Sequence, residues 1–279
     1  MKLMIAIPVY NRKKYLEIML KSLKECDDLD KTFIRVFNDS STEFDEIYLR
    51  QAFAGLNADI VTRPKNLRAD RNNYQIMLDF LNTNNDVLFI CDSDLLLRPD
   101  TIKYIYSAFK KTDGFLSMYN SDLHRDIYFD GEYVYKQDVG FAGICVSKDL
   151  LKSFVLKQKV APRSMDFKLS SFLIKKCVRL LVAKNSYVQH IGFDGQNCSE
   201  KSIDFSSNFV PISDFNKKII NEIMPIVIKR QSEMIKYLLF KDKYKRCGFM
   251  FHQPHKHFMQ NKLIKRLKKI YSSLYPFSN

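Results

Sequence analysis

Short apolar runs alternate with helix-like stretches along the first 90 residues. The runs are rich in β-branched and aromatic residues, as is typical of buried strands. They are Lys2–Val9, Phe33–Phe37, Asp59–Thr62 and Val87–Cys91. The first helix is predicted to follow Asn11 as its N-cap, and further helices are predicted near Phe44 to Phe53 and Asp70 to Leu81. Strands that alternate with helices predict the α/β class, with parallel strands joined by crossover helices.

The pattern becomes irregular after residue 99. Pro99 is expected to open a helix that runs to Phe109. Asp130-Gly131 lies between two short aromatic runs and predicts a hairpin. The remaining predicted elements are a strand at Gly143–Val146, helices at Lys148–Leu156 and Ser164–Lys175, and strands at Val178–Ala183 and Tyr187–Ile191. We therefore expect a mixed sheet flanked by helices, with antiparallel strands in its second half.

Charge divides the chain into two parts. The chain has 279 residues, 46% of them hydrophobic, and a formal net charge of +14. Residues 215–279 hold 15 of the 45 Lys and Arg residues but only 3 of the 31 acidic residues. Residues 1–214 are therefore almost neutral. We predict one large globular domain at 1–214 and a basic helical extension at 215–279.

Cysteine usage and hydropathy predict a cytoplasmic protein. The six cysteines are widely spaced and form no Cys-x-x-Cys pair. The N-terminus lacks the apolar core of a secretory signal, and the longest apolar runs are far below the ~20 residues needed to cross a bilayer. The composition also argues against a disordered or collagen-like chain.

Asp92-Ser93-Asp94 is the most informative motif, because it ends an apolar strand with two carboxylates. Open α/β sheets bind ligands where their strands end, and carboxylate oxygens suit Mg²⁺ or Mn²⁺. A divalent ion there could neutralise a departing diphosphate. An Asp-x-Asp segment is also common in solvated turns, so the tripeptide alone leaves both interpretations open.

Four segments in order resemble the nucleotide-diphospho-sugar glycosyltransferases of the GT-A fold, particularly the bacterial family 2-like group. They are Ile5-Ala-Ile-Pro-Val-Tyr-Asn-Arg12, Val36-Phe-Asn-Asp-Ser-Ser41, Asn66 to Asn72, and Asp92-Ser-Asp94. The resemblance covers roughly residues 3 to 195 and implies an α/β GT-A sheet. Taken singly, each segment could also be a packing or turn feature.

The resemblance implies a binding site for a UDP-sugar. Asp39 would accept the uracil N–H, although Asn38 and Ser40 differ from the family's Asp-Asp-Gly-Ser turn. Arg71 would lie near the base or the diphosphate, although Arg68 replaces the family's usual Gly. The implied nucleotide-sugar-binding residues are Pro8, Val9, Tyr10, Asn11, Asp39, Arg71, Asp92 and Ser93.

The resemblance also implies a Mn²⁺ or Mg²⁺ cofactor. Asp94 would be a direct ligand, and Asp92 would contact the ribose or a metal-bound water. His190 lies in a segment similar to the family's His-x-Gly strand end, and its imidazole is a suitable ligand for Mn²⁺. A histidine on a strand could equally be a hydrogen-bonded core residue.

Asp166 is the predicted catalytic base. An inverting transferase needs a group that takes the proton from the acceptor hydroxyl. Asp166 lies in Arg163-Ser-Met-Asp166, which resembles the family's Glu-Asp pair at the start of a helix. Ser164 or Asp166 could instead simply cap that helix. Residues 140–143 could line the donor sugar and the acceptor by positional analogy.

The C-terminal residues suggest a surface for binding membranes. Leu263, Leu267, Ile270 and Leu274 form one apolar stripe, and most cations lie off it, as in helices that lie on anionic membranes. An ordinary packed helix is the alternative. Nucleic acid is an unlikely partner, because no binding motif accompanies the charge. The histidines at 252, 255 and 257 lack the further ligand that a zinc site needs.

Together these features predict a metal-dependent, inverting glycosyltransferase. It would move a sugar from a UDP-sugar to a saccharide or glycolipid acceptor in bacterial surface polysaccharide or lipooligosaccharide synthesis, at the inner face of the cytoplasmic membrane. One rival is a sugar nucleotidyltransferase, although the turn at Pro8 to Arg12 lacks the Gly-rich loop that holds a triphosphate. The other is a non-catalytic scaffold whose basic tail binds membrane or nucleic acid.

Overall fold

The computed structural model describes residues 1–158, 160–193 and 204–239, with side chains to residue 232. Its strands are β1 Leu3–Val9, β2 Phe33–Asn38, β3 Ala58–Thr62, β4 Val87–Ile90, β5 Leu95–Leu97, β6 Phe115–Ser117, β7 Asp126–Asp130, β8 Tyr133–Lys136, β9 Ile144–Ser147, β10 Leu181–Ala183 and β11 Val188–His190. Its helices are α1 Lys13–Lys24, α2 Glu46–Ala52, α3 Arg68–Leu81, α4 Thr101–Ala108, α5 Lys148–Val155, α6 Met165–Lys175 and α7 Asp214–Leu239. Short 3₁₀ turns lie at Leu29–Lys31 and Phe109–Lys111.

Nine strands form one mixed sheet in the order β3-β2-β1-β4-β9-β6-β10-β8-β7. The four strands β3, β2, β1 and β4 are parallel. β9 is antiparallel to both of its neighbours, and β7 and β8 form the hairpin predicted at Asp130-Gly131. The prediction of an α/β mixed sheet, parallel in its first half and partly antiparallel in its second, is confirmed.

Helices cover both faces of the sheet because its inner strands are apolar on both sides. Along β1, Leu3, Ile5 and Ile7 belong to one core cluster, together with side chains of α1 and α4. Met4 and Ala6 point to the other cluster, which includes side chains of α3, α5 and α6. A continuous apolar run is what a strand buried on both faces requires.

A second, two-stranded sheet pairs β5 with β11 antiparallel. β5, whose Leu-Leu-Leu run follows the acidic motif without a turn signal, is not among the predicted strands, and neither is β6. Both strands are three residues long. Periodicity is weak over so short a run, and only pairing with a distant partner makes it a strand.

The start of α1 differs from the prediction. The helix begins at Lys13, and Arg12, not Asn11, occupies its N-cap position without a side-chain cap. Asn11 instead directs its side-chain oxygen to the backbone N–H groups of Thr42 and Glu43, at 2.7 and 3.2 Å. Asn11 therefore fastens the turn after β1 to the turn after β2.

Contacts divide the chain into two compact units, residues 1–192 with 204–221 and residues 193–203 with 222–279. In the first unit, α7 is anchored by Asn216, whose side-chain N–H donates to the carbonyl of Leu97 at 3.0 Å. In the second, Arg230 donates to the carbonyl of Phe193 at 2.9 Å. The predicted boundary at residue 214 stays a prediction. The apolar stripe from Leu263 and the three histidines from 252 lie outside the described residues.

The described helices include none with the length and hydrophobicity that crossing a membrane requires. Cys26, Cys91 and Cys145 are buried, Cys177 is exposed, and all four are free thiols.

Candidate functional site

The ends of three parallel strands bring most of the predicted nucleotide-sugar-binding residues to one edge of the sheet. Val9 at the end of β1 lies opposite Asn38 at the end of β2, and Ala6 pairs with Ile90 at the end of β4. The backbone N–H of Asp39 donates to the carbonyl of Val9 at 2.9 Å. The turn at 8–12, Asp39 and the acidic motif after β4 therefore share the carboxyl edge, where ligands of open α/β sheets bind.

Asp94 lies at the centre of this edge, between two cationic side chains. Its Oδ2 atom is 2.8 Å from Nη1 of Arg12 and 3.1 Å from Nε2 of His190. The Asp94 side chain is only 8% exposed. Arg12 also stacks on the ring of Tyr15, with its guanidinium carbon 4.7 Å from the ring centre. Three distant parts of the chain thus meet on one carboxylate.

The pairing of β5 with β11 brings His190 to Asp94. His190 pairs with Leu95 in the register, and the N–H of Ile191 donates to the Asp94 carbonyl at 2.9 Å. Gly192 leaves room for the pair, because a Cβ atom there would lie 1.9 Å from Nη2 of Arg12 and 2.1 Å from Oδ2 of Asp94. A side chain at position 192 is therefore incompatible with this arrangement.

The charges in the cluster set each other's protonation. Burial alone would raise the pKa of Asp94, but His190 and Arg12 hold that pKa well below its usual value. Burial acts to lower the pKa of His190, yet the charge and hydrogen bond of Asp94 raise it to about 9. Burial, followed by the charge of Asp94, raises the pKa of Asp92 to about 7. At neutral pH the core of the site is an ionised Asp94 between two cations.

The carboxylates of Asp92 and Asp94 keep free oxygen atoms. Neither oxygen of Asp92, nor Oδ1 of Asp94, has a hydrogen-bond partner among the described residues. Ser93 between them is buried. Within residues 1–158, 160–193 and 204–239, no group of three or more His, Cys, Asp or Glu side chains is arranged to hold a metal ion by itself.

The turn after β1 has an unusual backbone that fixes Arg12. Asn11 and Arg12 both adopt the left-handed conformation, with φ of 53° and 64°. The N–H of Asn11 donates to Oγ of Ser41 at 3.0 Å, which adds to the three hydrogen bonds that its side-chain oxygen accepts from Thr42 and Glu43. Val9 is buried, and Pro8 and Tyr10 are partly exposed at the same edge. Such strained turns are often found at functional sites.

Asp39 holds the loop that leads into α3. Its two carboxylate oxygens accept the N–H groups of Leu67 and Arg68, at 2.8 and 3.0 Å. Burial raises the pKa of Asp39, and these two N–H groups oppose the shift. Each carboxylate oxygen can accept a second hydrogen bond, so Asp39 can still accept a ligand N–H group.

Arg71 is not brought into the Asp94 cluster. It is exposed on α3, where it lines a cavity of about 470 Å³ with Leu67, Tyr74, Gln75, Val160 and Ala161. The predicted contact of Arg71 with the base or diphosphate stays a prediction.

Asp166 lies in the first turn of α6. Ser164 holds the N-cap position but makes no side-chain cap, so the alternative in which Ser164 caps this helix is wrong. Asp166 itself accepts the N–H of Phe167 at 2.8 Å. Burial raises the pKa of Asp166 and the charge of Asp70 adds to the shift, whereas the Phe167 N–H and His124 oppose it. A carboxylate with a raised pKa is a better base near neutral pH.

The structure identifies three residues that the sequence analysis did not assign. Arg12 and Gly192 belong to the Asp94 cluster, and Asp70 contacts the start of α6 through hydrogen bonds to Ser164 and Met165. Arg12 is the last residue of the first segment that carries the resemblance, so its position in the sequence is a usable signal. Nothing in the sequence indicated that Asp70 would reach a helix 94 residues away.

Comparisons with known proteins agree with this fold. Residues 4–163 match glycosyl transferase family 2. A mannosyltransferase from Pyrobaculum calidifontis, solved with GDP-Man and Mn²⁺, is 12% identical with a TM-score of 0.52, over 99% of this chain and 81% of that chain. TarS 1-349 from S. aureus, solved with UDP, is 15% identical with a TM-score of 0.50, over 89% and 74%. No curated protein sequence matches the chain.

The family match covers more than half of the chain and includes all four segments that carry the resemblance, the acidic motif among them. At such low sequence identity the two solved structures show the fold, which is the predicted GT-A arrangement. Glycosyl transfer is thereby favoured over the nucleotidyltransferase and scaffold alternatives. The chain belongs to glycosyl transferase family 2 and is a glycosyltransferase.

Proposed function

We propose that this enzyme transfers a sugar from a UDP-sugar to a hydroxyl group of a saccharide or lipid-linked acceptor, in the synthesis of a bacterial surface polysaccharide or lipooligosaccharide. The observation that carries the proposal is the Asp94 carboxylate at the carboxyl edge of the sheet, held between Arg12 and His190 with Asp92 beside it. A diphosphate carries negative charge, and this site places two partly buried cations next to free carboxylate oxygens.

The donor would lie across the ends of β1, β2 and β4. The position of Asp39 at this edge, with acceptor capacity left on its carboxylate, supports a contact with a base N–H group. Arg12 supports a diphosphate contact, because its Nε and Nη2 atoms have no acceptor among the described residues. Buried donors without a partner are costly, and phosphate oxygens would satisfy them. The solved relatives contain UDP or GDP-Man.

The residues present fit a divalent ion that binds together with the nucleotide. Asp92 and Asp94 offer hard oxygen donors, and Mg²⁺ usually takes one or two carboxylates plus phosphate oxygens and water. Two carboxylates from the protein are therefore enough for such a shared site. His190 would become a further metal ligand only if its hydrogen bond to Asp94 were replaced by a bond to the metal. When bound, Mn²⁺ or Mg²⁺ supplies positive charge to the leaving diphosphate.

Asp166 would accept the proton of the acceptor hydroxyl as its oxygen attacks the anomeric carbon. The bond from that carbon to the UDP oxygen breaks on the opposite face, so the configuration inverts. The products are the glycoside, UDP and a protonated Asp166. Burial and the charge of Asp70 raise the pKa of Asp166, which supports this role.

Residues 215–279 would hold the enzyme at the cytoplasmic face of an anionic membrane, where lipid-linked acceptors reside. Fifteen cations against three acidic residues in this segment support the placement, since each Lys or Arg near such a surface contributes about 1 kcal/mol.

Binding of UDP tests the donor site. We expect calorimetry to detect UDP binding with MnCl₂ and a loss of affinity of about 10- to 100-fold or more in Asp94→Asn, because even the residues that only support a metal ligand contribute this much to binding. Chelation with EDTA should weaken wild-type binding similarly. Asp86→Asn is the control, since Asp86 lies just before β4 and bonds the N–H of Lys2. Equal UDP affinity in Asp94→Asn and wild type would contradict the metal assignment.

Substitution of the base tests the chemical step. Asp166→Asn should lower kcat by about 10²- to 10⁴-fold and leave UDP affinity unchanged. A screen of nucleotide sugars first identifies a donor that the wild-type enzyme uses, and kcat is then measured as the rate of UDP release from that donor. Asp149→Asn is a matched control, because Asp149 is the exposed second residue of α5 just as Asp166 is the second residue of α6. An active Asp166→Asn enzyme would refute the assignment.

Gly192→Ala tests the Arg12–Asp94 pair without removing a charge. The added Cβ must displace Nη2 of Arg12 or Oδ2 of Asp94, at a cost of about 1–3 kcal/mol for overpacking. We expect a lower free energy of unfolding in urea and weaker UDP binding. In the control Gly140→Ala, the new Cβ meets only Nε2 of His124 at an ordinary 3.6 Å. If both variants bind UDP as the wild type does, the pair is not part of the donor site.

Vesicle binding tests the membrane proposal. The full-length protein should pellet with vesicles that contain phosphatidylglycerol at low salt, and should be released at about 0.5 M NaCl, where charges beyond a few ångströms are screened. Phosphatidylcholine vesicles are the control. Binding that is equal on both lipids, or insensitive to salt, would contradict an electrostatic contact.

A further inference from the structure

The start of α6 is held by a residue of another helix. The N–H groups of Ser164 and Met165 donate to the two carboxylate oxygens of Asp70, at 3.0 and 3.1 Å. Helices are usually capped by the side chain of the N-cap residue itself, but Ser164 has a left-handed φ of 51° and provides no cap. Asp70, in the first turn of α3, replaces that cap.

The start of α3 is in turn held by a residue at the edge of the sheet where the donor would lie. Asp39, directly after β2, accepts the N–H groups of Leu67 and Arg68. Arg68 is in the left-handed conformation, with φ of 65°, and α3 begins at this residue. Two carboxylates in series, each bound to two successive backbone N–H groups, therefore connect the end of β2 to the start of α6.

Asp166 directly follows the residues that Asp70 holds. Because two hydrogen bonds fix the position of residues 164 and 165, they also fix where the α6 backbone presents Asp166. The position of Asp166 is therefore set by α3 and, through Asp39, by the edge of the sheet where the donor would lie.

We propose that Asp70 is a positioning residue for catalysis, which holds the start of α6 so that Asp166 stands at the correct distance from the bound donor. The proposal rests on the proposed function, in which Asp166 is the base. Reacting groups must be placed closely, since an error of about 1 Å can cost 10²-fold in rate.

The charge of Asp70 also raises the pKa of Asp166, an effect that an uncharged cap would not have. The groups that act on the Asp166 carboxylate are Asp70 from α3, the N–H of Phe167 and His124, whose ring is bonded to Asp138. Removing the charge of Asp70 removes a repulsion that favours protonation of Asp166. The pKa of Asp166 should then fall.

The experiment compares Asp70→Ala and Asp70→Asn with Asp45→Ala. Asp45 is a matched control, because it caps α2 by accepting the N–H of Tyr48 at 2.8 Å. Asp70→Ala should lower kcat by about 10- to 100-fold with unchanged UDP affinity and unchanged KM for the donor. Asp45→Ala should lose comparable thermal stability but keep its kcat. In Asp70→Asn, the rise of kcat with pH should move to lower pH.

Amide hydrogen exchange at residues 164 and 165 gives a readout that needs no turnover, and it should accelerate in Asp70→Ala alone. The proposal is overturned if Asp70→Ala keeps the kcat of Asp45→Ala, or if its loss of activity is matched by a loss of UDP affinity. It is also overturned if exchange at 164 and 165 is unchanged. A failure of the proposed function is recognised separately, because Asp166→Asn would then retain the wild-type kcat.

Discussion

The arrangement of the donor site depends on one buried carboxylate shared by two cations. Asp94 binds Arg12 from the turn after β1 and His190 from β11. Asp94 is itself buried, and a buried charge that loses its partners is strongly unfavourable, by about 3–5 kcal/mol. The interaction therefore selects the conformation in which the ends of the central strands and the small β5–β11 sheet come together, and Gly192 is small because that conformation leaves no space.

Most of the fold could be predicted because the strands and helices in the parallel half of the sheet have clear local patterns of apolar and polar residues. The apolar runs of β1 to β4 and the helices between them were located to within a residue or two, and family resemblance selected the acidic motif. β5 could not be found, because its identity as a strand depends on pairing with residues 188–190. Without β5, the sequence gives no reason why His190 should bind Asp94 rather than pack in the core.

The contacts that could not be predicted depend on tertiary geometry rather than on sequence motifs. Asn11 resembles a helix cap in sequence, but its side chain bonds two N–H groups that lie 31 and 32 residues away. Asp70 resembles an ordinary first-turn acid of α3, yet it bonds α6. Short polar side chains satisfy whichever N–H groups the tertiary structure leaves open, and sequence spacing does not reveal which ones those are.

The two ends of the proposed reaction lie in opposite electrostatic surroundings. Beside Asp94, Arg12 and a protonated His190 concentrate positive charge, which favours a leaving group that gains negative charge. At Asp166, burial and then the nearby Asp70 carboxylate raise the pKa of the proposed base. Because α3 contributes Asp70 at its start and is itself held by Asp39, a donor that settles against Asp39 would meet an α6 already in place. Order at the donor edge and order at the base are then properties of one connected set of hydrogen bonds.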